Sequence, residues 1–174
     1  TDAFILGNFE GEGALAAVGA SSAVNILFVM AATGFTSGLG ILAARYYGAK
    51  QPEKLRKLLG SYSIILTAVM VVLVVFGRVH AEKLLVIMNT PEDIFAQAET
   101  YLRIILLGGP FVVIYNMYSA VLRGTGNSKA PFVCLAISGA LNVVLDWILI
   151  KWYGLGIAGA AWATTASQAI GALV

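Results

Sequence analysis

Charge is what this chain lacks. Only 11% of its 174 residues are Asp, Glu, Lys or Arg, 59% are hydrophobic, and the mean hydropathy is +0.86. A soluble domain carries roughly 25% charged and 45–50% apolar residues. A soluble chain this short of charge could not cover its own core, so that class is excluded. The net charge of +2 is too small to hold a nucleic acid. Cysteine is nearly absent as well. Cys134 stands alone, which excludes an internal disulfide and a thiolate metal cluster. Histidine is equally scarce. His80 has Arg78, Glu82 and Lys83 around it but no second His or Cys, which argues against a metal centre. No basic leader precedes an apolar stretch at the start, so no cleavable signal peptide is read.

What the chain has instead is long uncharged runs. Gly13–Ala44, Leu58–Gly77, Ile104–Leu122 and Trp152–Val174 contain no Asp, Glu, Lys or Arg, and Ala130–Ile150 contains one, Asp146. A bilayer core needs about 20 apolar residues per helix, and helices are the spanning elements that satisfy their own backbone in lipid. Thr1–Phe9 reads as the end of a further apolar segment. The expected fold is all-α: a polytopic bundle of six transmembrane helices, the first truncated. The expected helices cover about 1–9 in part, 14–46, 57–78, 91–122, 131–150 and 157–174, and together form one lobe over residues 1–174. The connections are short. In the third, Thr90 reads as an N-cap, followed by Pro91 at the first helical position and by Glu92 and Asp93 in the first turn.

Orientation follows from basic residues. Arg45, Lys50, Lys54, Arg56, Lys57, Arg123 and Lys129 lie on one side, and Arg78, Lys83, Arg103 and Lys151 on the other. That bias puts the loops near Lys50 and Asn127 in the cytoplasm. Trp147, Trp152 and Tyr153 read as an interfacial belt on the outer side.

Several motifs need weighing. GLGIAG (Gly154–Gly159) matches a dinucleotide-binding pattern, but a membrane segment precedes it and no acid follows, so it reads as a turn. Gly34 and Gly38 form a small-xxx-small pair that suggests close helix packing. GEGALAAVGAS (Gly11–Ser21) resembles GLGIAGAAWAT (Gly154–Thr164), and an acid precedes each, Asp2 and Asp146. Internal repeats are common in transporters, although small residues recur easily in membrane helices.

Asp146 is the residue that demands a reason. An ionisable group within a membrane helix costs roughly 2.5–3.5 kcal/mol on insertion scales, and such groups usually mark ion or proton paths. Cys134, Ser138, Asn142 and Asp146 recur every four residues and make one polar stripe. Other segments offer Ser21, Ser22, Asn25, Asn116, Ser119, Thr164, Thr165, Ser167 and Gln168. Carboxylate, amide and hydroxyl oxygens suit Na⁺ or a proton rather than a soft metal. The competing reading is that Asp146 only holds helices together through hydrogen bonds.

These residues resemble the multidrug and toxic compound extrusion (MATE) family. The resemblance rests on VLRGTGNSKAPFVCLAISGALNVVLDWILIKWYGLGIAGAAWATTASQ (Val121–Gln168), GILAARYYGAKQPEKLRK (Gly40–Lys57) and DAFILGNFEGEGALAAVG (Asp2–Gly19). It implies the amino-terminal six-helix lobe of a twelve-helix transporter, not an enzyme. It also implies a cell-membrane location, no cofactor beyond the coupling ion, and export of amphipathic or cationic drug-like compounds by Na⁺ or H⁺ antiport. The partners implied are the bilayer and a carboxy-terminal lobe. Carried over, Asp146, Asn142, Asp2 and Thr164 match the cation or proton site, with a Na⁺ ion as one occupant. Asn116, Ser119 and Thr165 are additional candidates. Asn127 departs from the family, which often has Asp there. The rival readings are a lipid-linked saccharide flippase of the same superfamily, which calls for a basic cavity, and a non-transporting membrane interaction module.

Overall fold

The computed structural model describes residues 5–7 and 11–173. Residues 5–7 are helical. Seven α-helices follow: α1 (Glu12–Gly48), α2 (Pro52–Val79), α3 (Ala81–Ile87), α4 (Glu92–Ile105), α5 (Gly109–Gly124), α6 (Lys129–Asp146) and α7 (Gly156–Leu173). A 3₁₀ turn, Leu106–Gly108, joins α4 to α5, and a π-helical segment, Trp147–Trp152, extends α6. Four stretches are long and apolar enough to cross a bilayer: Glu12–Gly48, Pro52–Val79, Glu92–Gly124 and Lys129–Trp152. The all-helical membrane bundle expected from the charge-free runs is what forms.

The prolines mark helix starts. Pro52 opens α2, Pro91 precedes α4, Pro110 is the second residue of α5 and Pro131 the third of α6. A missing N–H costs nothing in a first turn, where it has no intrahelical partner. Pro110 also explains the 3₁₀ turn. Without its N–H the Leu106 carbonyl has no donor four residues on, and the Gly109 N–H takes that place at i+3. The span read as one continuous helix is therefore two helices with a break.

Three helix ends close in one way. After α1 the Gln51 N–H reaches the Tyr46 carbonyl and the Lys50 N–H the Tyr47 carbonyl, with Lys50 at φ 54°. After α3, Thr90 bonds to Leu85 and Asn89 to Val86, with Asn89 at φ 53°. After α5, Asn127 bonds to Leu122 and Gly126 to Arg123, with Gly126 at φ 91°. Each is a Schellman turn whose left-handed residue satisfies the last carbonyls. Thr90 is thereby committed to ending α3 rather than capping α4. Its hydroxyl has no hydrogen-bond partner among the described residues, and α4 has no side-chain cap. The short α3 lies within the expected third connection. His80 sits at the junction, its Nδ1 3.0 Å from the Phe76 carbonyl and its ring stacked on Phe76. Those contacts give His80 a helix-end role.

The core runs along the bundle. Its main cluster joins Ile5, Leu6, Ala14, Ala17 and Val18 to Tyr101, Leu102 and Ile105 of α4, to Ile150, and to Ala160 and Ala161 of α7. The side chain of Ser21 stitches α1 to α4, donating to the Ala17 carbonyl at 2.8 Å and lying 3.0 Å from that of Ala98. The close α1–α5 contact does not use the expected glycines. Nothing lies within 4 Å of a Cβ built on Gly34 or Gly38. Gly40 and Gly124 make the contact instead, because those two fall where the helix backbones meet.

Candidate functional site

The polar stripe of α6 packs against α7. Ser138 Oγ donates to the Ser167 carbonyl at 2.8 Å, and a Cβ built on Gly171 would lie 2.8 Å from Ser138 Cβ. One turn along, Asn142 Nδ2 donates to Thr164 Oγ1 at 3.1 Å. Further on, a Cβ built on Gly159 would lie 3.2 Å from the Leu149 carbonyl oxygen. These three pairs fix an antiparallel register. In that register Asp146 is level with Ala160 and Ala161, all three fully buried.

Asp146 is 0% exposed. Ile150, one turn later and also buried, belongs to the main core cluster. The helix changes form at this carboxylate. Trp147–Trp152 is π-helical, closed by the Tyr153 N–H on the Ile148 carbonyl. Wider turns of this kind in helices are frequent at functional sites. The turn beyond is made by Gly154 and Gly156 at φ 63° and 51°. Gly11, at φ 85°, stands before α1 in the same way, so both copies of the glycine repeat start a helix. Lys151 Nζ lies 4.2 Å from the centroid of the Trp147 ring, and Trp147, Trp152 and Tyr153 are exposed, as an interfacial belt requires.

The sequence-derived site residues divide. Asn142 and Thr164 meet at the α6–α7 interface, and Asp146, one helical turn beyond Asn142, is fully buried. Asp2 lies outside the described residues. Thr165, adjacent to Thr164, faces the other way, and its hydroxyl donates to the Ile104 carbonyl at 3.3 Å. It ties α7 to α4 and is not at the Asn142–Thr164 pair. Asn116 donates to the Val112 carbonyl of its own helix and lines a different space. That space is a cavity of about 240 Å³ between α1, α5, α6 and α7, lined by Tyr115, Asn116, Leu135, Ser138, Gln168 and Gly171, with Val29 and Val112. Ser119 is buried in a neighbouring groove beside Pro131 and Cys134. Among the described residues, neither Asn116 nor Ser119 shows a hydrogen bond to the Asn142–Thr164 pair: the one bonds within its own helix and the other lies in the groove beside Pro131.

Tyr101 has no signal in the sequence, and Gln168, one of the polar residues of its segment, takes a place that the sequence does not reveal. Tyr101 of α4 is 5% exposed and shares the core cluster with Ile150, Ala160 and Ala161. A lone tyrosine in an amphipathic segment gives no warning of this. The Gln168 Oε1 atom is buried with no hydrogen-bond partner among the described residues. It lies against Gly108, where a Cβ would come within 2.1 Å of it, and borders a small void with Asn25. Asn127 repays its departure from the family pattern. Its Oδ1 accepts the Ala130 N–H at 3.2 Å, so an amide caps α6 as a carboxylate would.

A helical membrane bundle with a fully buried carboxylate has the build of a transporter lobe. The MatE family model matches residues 1–148, and the chain belongs to this family of multidrug and toxic compound extrusion transporters. It is 36% identical over 166 residues to the probable multidrug resistance protein YoeA of Bacillus subtilis (strain 168), covering 93% of this chain and 36% of that protein. Two solved structures of a multidrug resistance MATE family transporter, one inward-facing and one outward-facing, each match with a TM-score of 0.92 and 27% identity. Each match covers 99% of this chain, and the chain spans 39% and 38% of those structures. The chain thus spans well under half the length of the relatives it matches, and it is a multi-pass membrane protein.

Proposed function

We propose that this chain is the amino-terminal lobe of a secondary-active exporter in the cell membrane, which moves amphipathic or cationic drug-like compounds outward in exchange for Na⁺ or H⁺. The observation that carries the reading is the complete burial of Asp146 beside the Asn142–Thr164 hydrogen bond. A carboxylate in this place is costly when ionised and bare. Binding a cation or a proton neutralises it and lets the surrounding helices repack. Asn142 and Thr164 supply oxygens of the kind a hard cation takes. Asp2 is proposed as a further ligand. Its support is the resemblance of Asp2–Gly19 to the family.

A ligand shifts a conformational equilibrium only by its differential affinity for the two states. Drug and cation should therefore oppose each other. The 240 Å³ cavity is the proposed drug-facing surface of this lobe, and no Lys or Arg lines it. That absence among its lining residues disfavours the saccharide flippase, which calls for a basic cavity. The equal likeness to an inward-facing and an outward-facing relative supports a lobe that moves as one body against a second lobe.

The test is drug efflux by the full-length transporter in reconstituted vesicles under an imposed Na⁺ or H⁺ gradient. Asp146→Asn is expected to abolish coupled export while leaving membrane insertion intact. Export at the native rate under both gradients would make Asp146 structural glue.

A further inference from the structure

The basic cluster between α1 and α2 plays no part in the transport reading. Residues 45–57 hold Arg45, Lys50, Lys54, Arg56 and Lys57 against one acid, Glu53. Lys54 and Lys57 share a face of α2 and line an open groove of about 360 Å³ with Tyr46, Ser61, Tyr62 and Ile65. Neither lysine has an ion-pair partner among the described residues. The groove lies at the start of α2, whose N-cap Gln51 makes no side-chain hydrogen bond. The positive end of the helix dipole adds to the charge of Lys54 in the first turn.

The same face continues as an apolar stripe. Ile65, Val69, Val72 and Phe76 follow at helical spacing and are 60%, 38%, 66% and 54% exposed, while Leu66, Met70 and Val74 carry the buried side of α2. From Ile65 to Phe76 the stripe is about 16 Å long at 1.5 Å per residue. One leaflet of a bilayer core of about 30 Å is about as thick. A cationic, hydroxyl-bearing groove at one end of an exposed apolar strip one leaflet long has the shape and charge of a phospholipid.

From this we infer that the groove is a binding site for an anionic phospholipid. Its phosphate lies between Lys54 and Lys57, with Tyr46, Ser61 and Tyr62 within reach of the headgroup oxygens. One acyl chain runs along Ile65, Val69, Val72 and Phe76. A free phosphate would use the lysines but gain nothing from the stripe, and a zwitterionic lipid would use the stripe but bring its own cation to the lysines.

The experiment places the full-length transporter in zwitterionic nanodiscs doped with phosphatidylglycerol that carries a photoactivatable group on its acyl chain. Adducts are mapped by mass spectrometry. They are expected on residues 58–76, and Lys54→Gln with Lys57→Gln should lower them by about thirtyfold, the factor for two basic groups at a membrane surface. Lys129→Gln, which removes a basic residue elsewhere, should leave them unchanged. Equal labelling by a phosphatidylcholine probe would reduce the stripe to ordinary lipid contact and overturn the site. So would adducts indifferent to the two lysines, adducts displaced by inorganic phosphate, or a stripe left unlabelled because another part of the transporter covers it.

Discussion

A Cβ at Gly124 would stand 2.7 Å from the carbonyl oxygen of Gly40, and a Cβ at Gly40 would stand 3.2 Å from that of Ala120. Backbone meets backbone there, so neither side can yield as a flexible side chain would. This contact holds the ends of α1 and α5 together.

Gly124→Ala should therefore destabilise the lobe by about 1–3 kcal/mol, the usual cost of overpacking. Gly38→Ala has open space around it inside α1 and should instead raise stability by about 0.5–1 kcal/mol, since alanine loses less freedom than glycine in a helix. Thermal unfolding of the detergent-solubilised protein separates the two, and equal melting temperatures would contradict the contact.

The Asn142–Thr164 bond should be visible as a coupling. Asn142→Ala and Thr164→Val should each lower stability, and the double variant should lose less than their sum by about 0.6 kcal/mol, the typical value for polar pairs in membranes. Thr165→Val should show no coupling to Asn142, since Thr165 bonds to α4. Under the proposed mechanism, drug efflux should fall more for Asn142→Ala than for Thr164→Ala.

Lys50 occupies a left-handed position at φ 54° that glycine fills at Gly126. Left-handed backbone costs an ordinary residue about 1–2 kcal/mol, partly offset by the greater freedom that glycine loses on folding. Lys50→Gly is expected to stabilise the protein by up to about 1 kcal/mol in chemical or thermal unfolding. Gly126→Val should do the reverse. A destabilising Lys50→Gly would mean that the lysine side chain matters more to the fold than its backbone strain.

Topology is testable with single cysteines at Gln51 and Ser128 in a Cys134→Ala background. Both loops are expected to resist an impermeant thiol reagent in intact cells and to react once the membrane is opened. Labelling of either site in intact cells would invert the orientation drawn from the basic residues.

The sequence by itself determined the fold class. Charge-free runs of bilayer length leave a helix as the satisfied backbone, and one acid in such a run is conspicuous because burying it costs so much. It also marked the helix ends where proline, or glycine after the last turn, sets the backbone. It could not decide which helices pair, because every apolar face suits lipid and protein alike. Gly34 and Gly38 looked as fit for close packing as Gly40 and Gly124, yet only the latter pair meets. Nor could it show that Pro110 would break one span in two while Pro131, three residues into α6, would not. Thr164 and Thr165 show the limit most sharply. They are the same residue type at neighbouring positions, and about 100° of helix rotation separates them. Only the tertiary packing of α7 turns Thr164 toward Asn142 and Thr165 toward the Ile104 carbonyl, because α7 lies between α6 on one side and α4 on the other.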